Sequence, residues 1–165
     1  MTTQIYTMGY EGRKPAELLR VAEQLDATIV DIRLRATSAH PQWREGALRE
    51  LLGDHYARCA QLGNTRYREP AGADGPRPIE IADFDAGAAY VLENSCPVIL
   101  MCSCRQLTTC HRLSVVQLLW ERHRVECREL DWDETGGAPK SVGIYWLEKW
   151  QDMQKMKASS GEEIS

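Results

Sequence analysis

Pro97-Val98-Ile99-Leu100-Met101-Cys102-Ser103-Cys104-Arg105-Gln106-Leu107-Thr108-Thr109-Cys110-His111-Arg112 is the stretch from which the fold of this chain is read. An apolar run ends at Cys102 and a polar loop follows. Cys110-His111-Arg112 then opens a segment in which Leu113, Val116, Leu119 and Trp120 recur at helical spacing. The pattern predicts strand, loop and helix, with three cysteines, one histidine and two arginines around a single turn. In an open parallel sheet, turns at the carboxyl ends of strands are where ligands bind.

Working outward, the same alternation repeats. Gln4 to Met8 is a β-prone run that stops at Gly9. Pro15 sits at a favoured first-turn position, and Leu18, Leu19, Ala22 and Leu25 give the next segment a helical stripe. Ala27 to Ile32 is apolar except for Asp31, as expected of a strand buried on both faces. These make a β-α-β unit with a right-handed crossover. Residues 33–43 form a polar loop holding Arg33, Arg35, His40 and Pro41, and a helix follows with Ala47, Leu48, Leu51 and Leu52 inward. Asp54 to Leu62 reads either as an extension of that helix or as a short strand at Tyr56 to Cys59, and the strand is preferred.

Arg66 to Pro78 is rich in Gly, Pro and charge, which predicts a long exposed loop and a candidate lid. Asp83 to Glu93 reads as a helix with Asp83 as N-cap and Phe84, Ala88 and Val91 inward. Arg124 to Leu130 is expected as the last strand, 131–141 as a connector, and Val142 to Met156 as a C-terminal helix. Residues 157–165 are expected to be a disordered polar tail. The expectation is an α/β protein: residues 1–156 form a single three-layer α/β/α domain around a mostly parallel sheet. The loops at 9–14, 33–43 and 102–112 should gather at one rim.

Composition bounds the partners. The chain has 165 residues, enough for one domain with a real core. Its net charge of −4 carries no global basic signal for nucleic acid. No apolar run approaches the roughly 18 to 20 residues of a membrane helix, so no membrane association is expected. The N-terminal residues lack a basic segment followed by an apolar one, which predicts no signal peptide and a cytoplasmic protein. Six cysteines in that setting read as thiols or ligands rather than a disulfide framework.

At the three rim loops the chain resembles the family catalogued as domain of unknown function 488. The resemblance rests on Tyr6-Thr7-Met8-Gly9-Tyr10, on Val30-Asp31-Ile32-Arg33, on Leu62-Gly63, and on Cys102 followed eight positions later by Cys110-His111-Arg112. It spans roughly residues 4 to 130. Two positions depart from the family pattern: Tyr10 stands where a histidine is common, and Cys104 where many members carry a glutamate. The resemblance implies the α/β fold and a site at these loops, and it leaves the reaction open.

The clustered residues admit several chemistries. A helix starting near Cys110 offers unpaired N–H groups and positive potential to an anion. Arg13, Arg33, Arg35, Arg105 and Arg112 add guanidinium groups suited to phosphate or carboxylate. Tyr10 and Asp31 complete the expected ligand-binding set, while Tyr67, Trp43 and His40 could stack on a planar ligand. Asp31 reads equally as an acceptor for loop N–H groups and arginine, or as a group that orients a catalytic side chain. Cys102, Cys110 and His111 are the expected catalytic residues, because a cysteine near a helix N-terminus or arginines favours the thiolate and histidine can serve as base.

The spacing after Cys102 and Cys104 puts Thr108 and Cys110 where phosphate-loop cysteine enzymes place arginine, so that analogy is weak. A redox pair among the cysteines lacks a C-x-x-C signature. Cys59, Cys96 and Cys127 are expected to be buried and inert. The leading reading is therefore an enzyme that binds and acts on a small anionic substrate, phosphorylated or nucleotide-like. The alternative is a non-catalytic module that binds zinc or iron through Cys102, Cys104 and Cys110, or that binds a nucleic-acid end. Against the metal, adjacent helical residues such as Cys110 and His111 point about 100° apart.

Overall fold

The computed structural model describes residues 3–73, 75, 77–131 and 140–143, together with positions 152, 155–157 and 159. The elements alternate as expected: β1 (Ile5–Gly9), α1 (Pro15–Leu25), β2 (Thr28–Asp31), α2 (Glu45–Leu52), β3 (Tyr56–Arg58), α3 (Phe84–Leu92), β4 (Val98–Cys102), α4 (His111–His123), β5 (Cys127–Asp131) and β6 (Lys140–Gly143). They build one sheet in the order β3-β2-β4-β1-β5-β6. All neighbours run parallel except β5 and β6, which are antiparallel.

Every residue of β4 is buried, as its unbroken apolar sequence requires of a central strand. Leu18, Val21, Ala22, Leu48 and Leu52 bring α1 and α2 onto one face, against Met8, Ile29, Ile99 and Met101. Phe84, Ala88, Val91, Val115, Val116 and Leu119 bring α3 and α4 onto the other, against Ile5, Val30, Val98 and Leu100. The result is a single three-layer α/β/α arrangement. Among the described residues no helix is long and apolar enough to cross a membrane.

The helix ends follow local chemistry. Asp83 caps α3 by accepting from the Ala86 N–H at 3.2 Å. Arg124 adopts a left-handed conformation (φ 55°) and closes α4 with its N–H on the Leu119 and Trp120 carbonyls. That turn delays the next strand, so β5 begins at Cys127 rather than Arg124. Nor is β5 the last strand. Val142, expected to enter a helix, pairs opposite Glu129 in β6, because β5 offers it a free antiparallel edge. The connector at 132–139 and most of the expected C-terminal helix and tail lie outside the described residues. Positions 155–157 and 159 are helical.

The strand order places the site. The chain leaves β1 and β2 toward the α1/α2 layer, and leaves β4 toward the α3/α4 layer. Because β4 lies between β1 and β2, the chains part in opposite directions above its carboxyl end. Such a switch point opens a crevice, and Cys102 stands at its floor.

Candidate active site

Three elements meet at the end of β4. The chain runs through Ser103 and Cys104, returns by a 3-10 turn at Leu107–Thr109, and enters α4. Cys110 is the N-cap of that helix, with extended backbone (φ −109°, ψ 147°). It therefore escapes the helical geometry that would set its side chain about 100° from that of His111. This corrects the sequence expectation that the two diverge. The Sγ atoms of Cys102 and Cys110 lie 3.7 and 3.9 Å from His111 Nδ1. All three ligand atoms fall within 4.8 Å of one another, and all three residues are buried.

The tautomer of His111 follows from its other nitrogen. Nε2 is 3.1 Å from the Ile32 carbonyl oxygen. A carbonyl can only accept, so Nε2 carries a proton, and the neutral ring presents its Nδ1 lone pair to the two sulfurs. Hydrogen bonding with Cys104 pushes the Cys102 thiol up, Cys110 opposes this, and burial leaves the net shift above the ordinary cysteine value. Cys104, half-buried, is also raised: Cys102 pulls it down, but Cys110 and burial outweigh that pull.

Arg112 is the residue whose role departs most from expectation. The sequence puts it on the anion. The structure buries it completely beneath the cluster, outside the residues that line the cavity. Its backbone N–H and Nε–H donate to Cys110 Sγ at 3.5 and 3.4 Å. One terminal nitrogen donates to both Glu129 carboxylate oxygens (2.9 and 3.0 Å), and the other to the Cys104 carbonyl at 2.8 Å. The Thr7 hydroxyl also donates to Glu129. Burial opposes the arginine charge, but Cys110 and Glu129 outweigh it and raise its pKa. Burial likewise dominates at Glu129, which titrates above the usual carboxylate range despite Arg112 and Thr7. Gly9 makes room for this strut: a Cβ there would lie 1.8 Å from the Cys104 carbonyl oxygen.

The facing wall comes from β2. Asp31 is wholly buried and accepts from Arg33 Nε (2.9 Å), from a terminal Arg33 nitrogen (2.6 Å) and from the Tyr56 hydroxyl (2.6 Å). Its two sequence readings thus resolve toward arginine pairing. Burial works against the Arg33 charge, but the bonds and charge of Asp31 raise its pKa further above the ordinary arginine value. Arg33 donates on to the Tyr10 hydroxyl at 3.1 Å, and Tyr10 stacks on Trp43 with ring centroids 4.1 Å apart. Arg58 ties the exit of β2 by donating to the Arg33 and Leu34 carbonyls.

Between these walls lies a cavity of about 180 Å³. Its floor is Cys102, Cys104 and His111, and Tyr10 and Arg33 form one side. Arg35 and Arg77 reach it from exposed positions with no carboxylate partner among the described residues, whereas Arg66 is paired with Glu69 at 2.6 Å. Tyr67 and Pro78, from the expected loop, also line the cavity. Asn64 anchors that loop: Oδ1 accepts from the Arg66 and Glu80 N–H groups, and Nδ2 donates to the Pro78 carbonyl.

Not every expected residue arrives here. Arg13 and Arg105 line a separate hollow beside Glu129 and Asp131, and His40 lines another next to Trp43. Cys59 and Cys127 are buried as expected, but Cys96 is exposed, because it sits in the turn between α3 and β4 rather than within a strand. Sequence reasoning missed Thr7, Tyr56, Arg58, Asn64, Arg77 and Glu129. Only Asn64 carried a local signal, an Asx-turn former at the mouth of a Gly- and Pro-rich loop.

Comparison with family models, with curated proteins and with solved structures gives no match.

Proposed function

We propose that this chain is an enzyme that binds a small anionic substrate, phosphorylated or nucleotide-like, above Cys102 and acts on it through that thiol. The observation that carries the reading is the position of His111 Nδ1, 3.7 Å from Cys102 Sγ at the floor of an arginine-walled cavity, with Nε2 held on the Ile32 carbonyl. In the reaction the Cys102 proton passes to His111 Nδ1, and the resulting thiolate attacks an electrophilic centre of the substrate. The leaving group departs with its bonding electron pair and recovers the proton from the imidazolium; water, deprotonated by His111, then displaces the group from sulfur and the thiol is restored. Arg35 and Arg77 hold the anionic group, Arg33 stays fixed on Asp31, and the Tyr10 and Tyr67 rings flank a planar part. We read the chain, on the motifs at Cys102 and Cys110-His111-Arg112, as a member of the family of domain of unknown function 488.

Alkylation of reduced, chelator-treated protein by iodoacetamide, mapped cysteine by cysteine by mass spectrometry, tests this. Phosphate or a nucleoside monophosphate should slow alkylation of Cys102, and the Arg35→Ala/Arg77→Ala variant should lose that protection. His111→Gln should slow the unprotected reaction on the order of a hundred-fold. A Cys102 no more reactive than the buried Cys59, and indifferent to both anions, would overturn the reading.

A further inference from the structure

We propose that Cys102, Cys110 and His111 also form a three-ligand zinc site whose fourth position opens toward the cavity. Metal binding and thiol reactivity are then mutually exclusive states of one sulfur. The inference rests on the cluster geometry and shares Cys102 and His111 with the functional reading above.

Zinc bonds of about 2.3 Å to sulfur and about 2.0 to 2.1 Å to imidazole nitrogen, arranged tetrahedrally, set S···N edges near 3.5 Å. The two S···N distances here, 3.7 and 3.9 Å, lie within a few tenths of an ångström of that edge. His111 is already in the ligating tautomer, because Nε2–H is held by the Ile32 carbonyl as metal-bound histidines are held by an outer partner. Among the described residues, Nδ1 of this buried histidine meets no donor but these two weakly donating thiols. The sulfur of Cys110 accepts two N–H groups from Arg112, the kind of outer partner that orients a metal ligand.

Charge points the same way. Two thiolates, one neutral imidazole and a dication sum to zero, and the adjacent Arg112–Glu129 pair is itself neutral. A neutral centre is what a buried position tolerates, whereas two bare thiolates side by side are not. The donor set of two sulfurs and one nitrogen favours zinc over magnesium or calcium, which take oxygen. Cys102 and His111 line the cavity and Cys110 does not, so the open side of the triangle faces the cavity. Cys104 stands beside it without joining the three convergent atoms.

Loading expels one proton from each of the two cysteines. Below the thiol titration range, affinity should therefore rise about a hundred-fold per pH unit. Titration of reduced, chelator-stripped full-length protein with cobalt(II), followed by zinc, tests the site. One equivalent should give thiolate-to-cobalt charge-transfer absorption and the strong visible bands of a tetrahedral centre, both erased by zinc. Cys102→Ser and Cys110→Ser should each reduce the charge-transfer band, while Cys104→Ser and Cys96→Ser retain it. Where a variant fails to fold, the wild-type chain serves: zinc should protect Cys102 and Cys110 from iodoacetamide and leave Cys96 open. A weak octahedral spectrum without the thiolate band, or zinc that protects neither cysteine, would sink the metal site. Anion protection of the metal-free thiol is read separately and would survive that result.

Discussion

Arg112 is a motif residue whose contacts are all within the fold. Among the described residues it is the largest wholly buried side chain, and its donors are spent on Cys110, Glu129 and the Cys104 carbonyl. Removing one partner of a buried pair leaves an uncompensated charge, at a cost of about 3 to 5 kcal/mol. Arg112→Leu should therefore lower urea-unfolding stability by about that amount, because Glu129 loses its counter-charge and the Cys104 carbonyl and Cys110 sulfur lose a side-chain donor. Glu129→Gln keeps an amide oxygen to accept from Arg112 but strips the wholly buried guanidinium of its counter-charge, so it should also lower stability; no loss in either variant would contradict this account. The sequence marks Arg112 through its place beside Cys110 and His111. It does not mark Glu129, which reaches Arg112 only because β5 lies next to β1. Asp31 behaves alike: the buried strand end was legible, but the choice between roles waited on Tyr56 and Arg33.

At the scale of elements, the turn from β4 to α4 is shaped by its neighbours as much as by its own residues. Gly9 ends β1 in register with Cys102, and the Cys104 carbonyl passes where its Cβ would lie. Gly9→Ala must push that backbone aside, an overpacking worth about 1 to 3 kcal/mol. The displaced turn carries Cys102 and the Arg112 acceptor with it. The variant should thus unfold at lower urea and alkylate Cys102 at a changed rate, whereas Gly46→Ala, with open space around it, should do neither. Most elements were legible because apolar periodicity and caps are local signals. The Pro15 start of α1 and the Asp83 cap of α3 are examples. The extended Cys110 and the strand at Val142 were not legible, because each depends on what the chain packs against rather than on its own propensity.

For the molecule as a whole, two apolar clusters on opposite sheet faces enclose thiols that cannot readily ionise. Burial pushes Cys59 up, and pushes Cys127 to about 12. The native state then holds these protons more tightly than the unfolded chain does. Below the unfolded cysteine pKa of about 8.5 both states are protonated and stability is complete. Above it only the unfolded thiol ionises, so stability falls with rising pH until the native thiol follows. For Cys127 the slope is on the order of 1.4 kcal/mol per pH unit between about 8.5 and 12. Urea titrations across that range should show the decline, and Cys127→Val should flatten it; an unchanged slope would place the titrating group elsewhere. By itself, the sequence determined the alternation of strands and helices, the central buried strand and the loop where chemistry gathers. Those follow from hydrophobic period and turn residues, which act over a few positions. Tertiary structure alone decided that β4 lies between β1 and β2, that Cys102, Cys110 and His111 converge, and that Arg112 supports the floor instead of binding above it. These depend on pairings between segments tens of residues apart, which the free energy of packing selects and no local pattern encodes.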